Sequence, residues 1–217
     1  MAKTARRTPT RSSGGSQTQP LQRDQILEEA ARLFQERGYE RTRMQDIAST
    51  FGVTHAALYY YFPRKSDILA ELNLSALDTL VAGAKAAEEA SSSASEKFQR
   101  QLEAHIRFVV GNVPLAACFF LYDKAIEPAD LKKIRVLRRR YTEMLTASFA
   151  AAQSAGEFDN GVDAITAVNT LLGAANWMYR WLVVDDGDDP DALTTQIGRM
   201  LARGFVGRPA RNTGVRR

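Results

Sequence analysis

The stretch from residue 44 to residue 69 constrains the fold of this chain more than any other segment. Ile47 and Phe51 follow helical spacing and predict the apolar face of a short first helix. Gly52 stands where a helix can end in the left-handed region without a Cβ penalty. Thr54 is a favoured N-cap residue, so a second short helix is predicted to begin directly after it. Two short helices joined by a tight turn form a helix-turn-helix, and the second helix of that motif enters the DNA major groove.

The side chains predicted to face DNA divide by their chemistry. Threonine, histidine and alanine at the start of the second helix can read base edges or pack on a thymine methyl group. Tyrosine hydroxyls can take phosphates, and a lysine at the start of the following helix adds its charge to a helix N-terminus, which itself favours anions. Thr42 is the predicted N-cap of the first helix, with Gln45 three residues later in the spacing of a capping box. The candidate DNA-binding residues are Thr42, Gln45, Thr54, His55, Ala56, Tyr59, Tyr60 and Lys65.

A family resemblance is carried by several short motifs in this stretch. They are Asp46-Ile47-Ala48, Gly52-Val53-Thr54, Leu58-Tyr59, Tyr61-Phe62, Lys65 and Leu69. In this spacing they resemble the DNA-binding signature of the TetR family of bacterial repressors. The resemblance implies an all-α fold in which three N-terminal helices bind DNA and the remaining helices bind a ligand and dimerise. The alternative, an ordinary pair of packed helices, leaves the three consecutive tyrosines and the basic Arg64-Lys65 step unexplained.

Composition bounds the class of protein. Hydrophobic residues make up 45% of the 217 residues, which is ample for a core. The single cysteine, Cys118, excludes an intrachain disulfide framework and is predicted to be inert core rather than a redox sensor. No apolar run is long enough to cross a bilayer, and no apolar segment follows the basic N-terminus as in a secretory signal. A cytoplasmic protein without a membrane partner is therefore predicted.

Charge is distributed unevenly along the chain. Residues 1–20 and 208–217 together carry eight basic residues and no acidic one, whereas the whole chain has a net charge of +4. The body between them is therefore slightly acidic, at −4. Both tails are predicted to be disordered, and they either add contacts to DNA phosphates or only aid solubility.

Beyond the motif the pattern predicts helices without a strand signal, nine in all. A long helix from about residue 65 to 90 begins in the DNA-binding unit and ends in the next one, so it can carry a signal between them. Another long helix is predicted over 162–184, and Asp188-Asp189-Pro190 begins the last one, which runs to about residue 205. The predicted organisation is a basic arm at 1–20, a helix-turn-helix domain at 21–67, a ligand-binding and dimerisation domain at 68–207 and a basic tail at 208–217.

A helix-turn-helix of this size reads only a short half-site. The chain is therefore predicted to bind a near-palindromic double-stranded operator as a homodimer. The resemblance places the dimer surface on the last two helices, where the 162–184 helix carries small residues that permit close helix approach. Ordinary packing within the chain is the alternative. The candidate interface residues are Thr166, Thr170, Gly173 and Ala174.

An effector pocket is predicted in the middle of the chain. Aromatic side chains concentrate in the helices that the resemblance assigns to the ligand, and an apolar pocket with few polar groups is a common small-molecule site. The alternative for any one of these aromatic residues is plain core. The candidate pocket residues are Phe108, Phe119, Phe120, Tyr122, Tyr141, Trp177, Arg180 and Trp181.

Three short motifs narrow the effector class: residues 176–181, Arg138-Arg139-Arg140-Tyr141 and Gly156-Glu157-Phe158. They resemble the C-terminal domain of TetR-type repressors of fatty-acid and steroid breakdown, which respond to acyl-CoA thioesters. Such a ligand needs an apolar tunnel for its acyl group and cations near the mouth for its phosphates. The candidate cations are Arg138, Arg139, Arg140 and Arg180, and a solvated basic face is the alternative.

Enzyme activity is not predicted. The two histidines, His55 and His105, are far apart in sequence, and no zinc spacing, phosphate-binding loop, dinucleotide fingerprint or nucleophile elbow is present. Neither a cofactor nor a metal is predicted. The predicted function is a repressor that a small apolar effector, with acyl-CoA as the candidate, releases from its operator. An activator, a regulator responding to a drug or other aromatic compound, and a DNA-organising protein without a ligand remain alternatives, as does a merely solvated His55.

Overall fold

The computed structural model describes residues 22–182 and 189–205, which form nine α-helices and no β-strand. The all-α prediction is confirmed for this part of the chain. The predicted arm at 1–20 and tail at 208–217 lie outside the described residues. The helices are α1 (Arg23–Arg37), α2 (Met44–Thr50), α3 (His55–Tyr61), α4 (Lys65–Glu89), α5 (Ala94–Gly111), α6 (Val113–Leu121), α7 (Pro128–Ser154), α8 (Ala164–Asn176) and α9 (Pro190–Arg203). Two short 3₁₀ helices, Asp123–Ala125 and Trp177–Arg180, follow α6 and α8.

The first three helices form a small unit around α1. Ile26 and Phe34 of α1 are fully buried, as are Ile47 of α2 and Leu58 of α3. Gly38 ends α1 with a φ of 84°, a conformation that glycine adopts without a steric penalty. Helix α1 also packs against α4 and α6, so this unit rests directly on the rest of the molecule.

Helix α4 connects the two parts of the molecule. Its 25 residues span about 37 Å at about 1.5 Å per residue. It packs against α1 and α6, and also against α5 and α7 in the second unit. The predicted long helix at 65–90 is therefore present with nearly the expected bounds.

Helix α5 lies at the centre of the second unit, where α4, α7, α8 and α9 all pack against it. Its apolar stripe is buried from Phe98 to Val109. Helix α9 approaches closely at Gly198, since a Cβ there would lie 2.4 Å from Cγ of Glu103. A side chain at position 198 would therefore push α9 away from α5. No single described helix is long and apolar enough to span a bilayer, and α5 and α6 pass such a test only as a pair bent by 102°.

The helix predicted over 162–184 is shorter than expected. Helix α8 ends at Asn176, and the chain tightens into the 3₁₀ helix Trp177–Arg180. This turn buries Met178 and stacks Tyr179 on Phe120 with ring centroids 6.2 Å apart. Hydrophobic spacing alone could not reveal the break, because apolar residues continue through it without interruption. Residues 183 and 184 lie outside the described part of the chain.

Candidate DNA-binding and effector sites

The turn between α2 and α3 has the geometry that its sequence predicts. Gly52 adopts a φ of 63°, and the N–H of Val53 donates to the carbonyl of Ala48. Thr54 is the N-cap of α3, where its side chain accepts a hydrogen bond from the N–H of Ala57 at 3.3 Å. The conformation of Gly52 and these hydrogen bonds thus fix the tight turn between the two helices.

Helix α3 presents an exposed face formed by most of the predicted DNA-binding residues. Tyr60 is 86% exposed and Tyr59 is 41% exposed. The half-buried His55 ring meets the Tyr59 ring edge-on at 4.3 Å between centroids. Thr54 and Ala56 are also exposed. The structure therefore brings these five residues to one surface, and their contacts with DNA remain predictions.

Thr42 does not have the predicted role. Arg43 is the N-cap of α2, and its N–H donates to Oδ2 of Asp46 at 2.7 Å. The Thr42 side chain is fully buried, with its hydroxyl 3.0 Å from the carbonyl oxygen of Gly38. A hydroxyl held inside the three-helix unit cannot contact DNA. Gln45, one turn into α2, is exposed and remains a candidate.

Lys65 is placed differently from the prediction as well. Its ammonium donates to the carbonyl oxygens of Tyr39 and Thr42 at 2.6 and 2.9 Å and lies 4.0 Å from the centre of the Tyr39 ring. Burial lowers the pKa of this lysine below its usual value. Lys65 therefore ties the start of α4 to the loop before α2 instead of presenting a free charge to phosphate.

Arg43 is a DNA-facing candidate that the sequence analysis missed. It is exposed at the N-terminus of α2 and has no ion-pair partner within residues 22–182 and 189–205. An exposed cation at this end of α2 is available to a DNA phosphate. The signal available in the sequence was its position between Thr42 and Gln45.

A cavity of about 250 Å³ lies in the second unit, where α4 to α8 meet. The predicted Phe119, Phe120 and Tyr141 line it, and Phe108 packs behind Phe119 with ring centroids 6.4 Å apart. The lining residues are Leu77, Leu80, His105, Phe119, Phe120, Arg138, Tyr141, Thr142, Leu172 and Asn176.

Four predicted pocket residues lie elsewhere. The hydroxyl of Tyr122 donates to the carbonyl oxygen of Phe34 in α1 at 3.1 Å, so Tyr122 joins the two units. Trp177 and Trp181 are 56% and 58% exposed, and the Arg180 guanidinium stacks over the Trp177 ring at 4.6 Å. These three side chains point outward because the 3₁₀ helix turns Met178, not the tryptophans, toward the core.

The inner wall of the cavity contains a hydrogen-bonded trio that the sequence analysis did not assign. Nε2 of His105 donates to Oδ1 of Asn176 at 2.7 Å, so its Nδ1 is free to accept the Tyr141 hydroxyl at 3.0 Å. Burial lowers the pKa of His105 to about 4, against the opposing effect of the Asn176 hydrogen bond. Burial also raises the pKa of Tyr141. This part of the wall is therefore polar but uncharged at neutral pH.

Arg138 supplies a cation at the cavity wall. Its Nη1 donates to Asp123 at 2.8 Å, and its Nη2 donates to Asn73 Oδ1 at 2.6 Å and to the carbonyl oxygen of Phe119 at 2.7 Å. Its Nε is buried and has no partner among the described residues. A buried donor without an acceptor is costly, so this N–H is available to a polar atom of a ligand.

The predicted dimer residues share the exposed face of α8. Thr166, Thr170, Gly173 and Ala174 are all exposed, and a Cβ at Gly173 would meet no atom of the described residues within 4 Å. The same side of the helix and its 3₁₀ extension carries three half-exposed large apolar residues. They are Ile165, Trp177 and Trp181.

Sequence profiles and relatives agree with this architecture. The profile described as "Bacterial regulatory proteins, tetR family" matches residues 26–72, and "Tetracyclin repressor-like, C-terminal domain" matches residues 91–205, more than half of the chain. The chain belongs to the TetR family. It is thus a transcriptional regulator with a helix-turn-helix DNA-binding domain.

Three similar proteins show how far the likeness extends. The HTH-type transcriptional regulator TtgR of Pseudomonas putida is 28% identical over 174 residues, which cover 77% of this chain and 83% of TtgR. The structure of PfmR from Thermus thermophilus has 35% identity and a TM-score of 0.74, over 82% of this chain and 97% of PfmR. The structure of AibR with isovaleryl coenzyme A and operator DNA has 25% identity and a TM-score of 0.72, over 85% of this chain and 97% of AibR.

Proposed function

We propose that this TetR-family regulator is a repressor that binds its operator as a homodimer and leaves it when an acyl-CoA with a short acyl group binds. The observation that carries the proposal is that α4 belongs to both sites. Its first residue, Lys65, holds the loop before α2, while Leu77 and Leu80 line the cavity. A ligand that displaces α4 therefore also acts on the loop that leads into the helix-turn-helix.

The dimer is proposed to form through the exposed faces of α8 and α9. Ile165 and Trp177 are large apolar side chains exposed on α8 and its 3₁₀ extension, and exposed apolar surface of this kind favours an interaction site. Met200 on α9 is 63% exposed and adds to the apolar surface. An isologous pairing of two such faces would give the two-fold symmetry that a palindromic operator requires.

The size of the cavity favours a small acyl group. Its volume of about 250 Å³ lies below the usual range of about 300–1,000 Å³ for ligand pockets. Long acyl chains and fused steroid rings exceed it, whereas a branched or linear chain of a few carbons fits. The unpaired Nε–H of Arg138 is a donor for the thioester carbonyl. AibR, whose structure was determined with isovaleryl coenzyme A, is a relative bound to a ligand whose acyl group is of this size class.

Burial of a small acyl group provides enough free energy to switch the regulator. Moving a regulator from almost fully active to almost fully inactive needs about 5.5 kcal/mol of differential affinity, or about 2.8 kcal/mol for each of two subunits. Burying a CH₂ group contributes about 0.8 kcal/mol. Three or four buried carbons per subunit therefore suffice if the cavity is open only in the state that does not bind DNA.

The test is a titration of a fluorescent operator duplex and the protein with acyl-CoAs from acetyl to palmitoyl. Release is expected to peak at short acyl chains and to be absent with the free acids. Release only by long-chain or steroid thioesters would contradict the size argument. Release by none of these compounds would discard the acyl-CoA class, and tighter binding on addition of an acyl-CoA would identify a ligand-dependent activator.

A further inference from the structure

A second concave surface lies outside the cavity, along the first half of α7. It has a volume of about 560 Å³, and we call it the basic groove. Its apolar floor is formed by Ile126, Pro128, Leu131 and Val136, and its rim carries Lys124, Lys132, Arg135, Arg139 and Asp123. Four cations thus face a single carboxylate.

Most cations of the basic groove have no ion-pair partner among the described residues. Lys124, Lys132 and Arg135 have no carboxylate partner within the described ranges, and Arg139 is 3.6 Å from Glu143 at the far edge. The only acid on the rim, Asp123, is already held by Arg138. By contrast Lys133, the neighbour of Lys132, pairs with Asp130 at 3.3 Å and does not line the groove. The groove therefore presents an uncompensated positive field over an apolar floor.

The basic groove and the cavity meet at one ion pair. Arg138 lines the cavity, Asp123 lines the groove, and the two side chains are joined at 2.8 Å. The cavity can hold an acyl group of a few carbons but not the nucleotide and pantetheine of a coenzyme A. Those parts must lie outside it, and the groove is the adjoining surface with phosphate-binding chemistry.

We propose that the basic groove binds the nucleotide phosphates of the effector whose acyl group fills the cavity. This rests on the proposed function, because it assumes a CoA thioester in the cavity. Lys132 and Arg135, one turn apart on α7, hold the phosphates by charge-assisted hydrogen bonds, and the adenine ring lies on the apolar floor. The groove gives the regulator its selectivity for the thioester of coenzyme A over the free acid.

The test compares a short acyl-CoA with the same acyl group on N-acetylcysteamine, a thioester that lacks phosphates. The Lys132→Gln/Arg135→Gln variant is expected to raise the Kd of the acyl-CoA at least tenfold and to leave the Kd of the truncated thioester unchanged. Lys133→Gln is the matched control and is expected to change neither. An equal Kd for the acyl-CoA in the double variant and the control would overturn the proposal.

A second measurement separates this proposal from the effector class itself. Adenosine 3′,5′-bisphosphate is expected to bind the unaltered protein in calorimetry and to bind the double variant at least tenfold more weakly. If that holds while no acyl-CoA releases the operator, the acyl-CoA class fails and the groove stands. If acyl-CoA releases the operator but the bisphosphate does not bind, the groove assignment fails alone.

The operator is another source of phosphates for the groove. Arg64, at the start of α4, pairs with Glu127 at 3.3 Å, so the groove lies close to the DNA-binding unit. Operator affinity is therefore measured against salt for the same variants. The slope is expected to be unchanged in Lys132→Gln/Arg135→Gln. A slope that falls by about two, one for each lost phosphate contact, together with an unchanged Kd for acyl-CoA, would assign the groove to DNA and overturn the proposal.

Discussion

His105 is neutral in the folded chain because burial removes the water that would solvate its charged form. Both ring nitrogens are committed, one to Asn176 and one to Tyr141, and the side chain is 3% exposed. Protonation of Nδ1 would place two hydrogen-bond donors, the imidazolium N–H and the Tyr141 hydroxyl, against each other. One proton on this ring would therefore disturb α5, α7 and α8 together.

The folded protein is expected to lose stability as the pH falls from about 6.5 to about 4. The unfolded histidine binds its proton at about 6.5 and the folded one at about 4, so between them the unfolded state binds more protons. The free energy of unfolding should drop by up to about 3 kcal/mol per subunit across this window. Urea unfolding at several pH values measures it. His105→Gln should flatten the slope and His55→Gln should not; equal slopes in both variants would contradict the assignment.

Lys65 and Arg43 are both basic residues of the DNA-binding unit, yet their side chains have different surroundings. The Lys65 ammonium is held by two carbonyl oxygens, whereas Arg43 is exposed and unpaired within the described residues. Lys65→Met is expected to lower stability by about 1–2 kcal/mol without altering the salt dependence of operator binding. Arg43→Gln is expected to lower the salt slope by about one and leave the melting temperature unchanged. Operator titrations from low to high salt, with thermal melts, measure both; a reduced slope only in Lys65→Met would reverse the two roles.

Among the elements, α8 has two faces with different functions. Its inner face, with Leu171, Leu172 and Ala175, is buried in the protein, while its outer face carries small residues flanked by exposed apolar ones. A Cβ at Gly173 would have no atom of the described residues within 4 Å, so it contacts none of them. A substitution at this position therefore tests the role of the outer face of α8.

Gly173→Leu is expected to convert the dimer to a monomer and to weaken operator binding, because two half-sites can no longer be held at once. Sedimentation velocity measures the assembly, and circular dichroism checks that the fold is retained. Gly111→Leu is the matched control, since Gly111 is also exposed with open space around its Cβ. An intact dimer in Gly173→Leu would place the interface on another face.

At the scale of the whole molecule, the cavity and the DNA-binding unit are joined by a short series of polar contacts. Arg138 at the cavity wall donates to Asn73 of α4, and the Asn73 amide donates to the carbonyl oxygen of Leu69 one turn earlier, toward Lys65. A second connection runs from Tyr122 to the carbonyl of Phe34 in α1. A ligand that recruits the Nε–H of Arg138 would move a guanidinium that α4, α6 and the following turn all share.

Asn73→Leu is expected to uncouple effector and operator binding. The Kd of the acyl-CoA for the free protein should change little. The ratio of its Kd for operator-bound protein to its Kd for free protein should fall several-fold, which corresponds to a loss of about 1 kcal/mol of coupling free energy. Titrations with and without operator measure the ratio. Arg100→Gln, which removes a surface ion pair with Glu96, is the control. An unchanged ratio in Asn73→Leu would mean that α4 moves without this hydrogen bond.

The sequence by itself determined the features that depend on neighbours within one or two helical turns. Helical spacing predicted the nine helices, and Gly52, Thr54 and Pro190 begin or end them as expected. The exposed tyrosines of α3 followed from the same local pattern, because the buried Leu58 fixes which side of a short helix faces outward.

Only the tertiary structure decided where the buried polar groups go. His105 finds its partners 36 and 71 residues away, and Lys65 finds carbonyl oxygens 26 and 23 residues earlier. Such partners are invisible to a local pattern, because hydrogen bonding and desolvation depend on which helices pack together. The same reason explains why Thr42 turned inward, why Trp177 turned outward, and why Arg138 lies at the cavity wall.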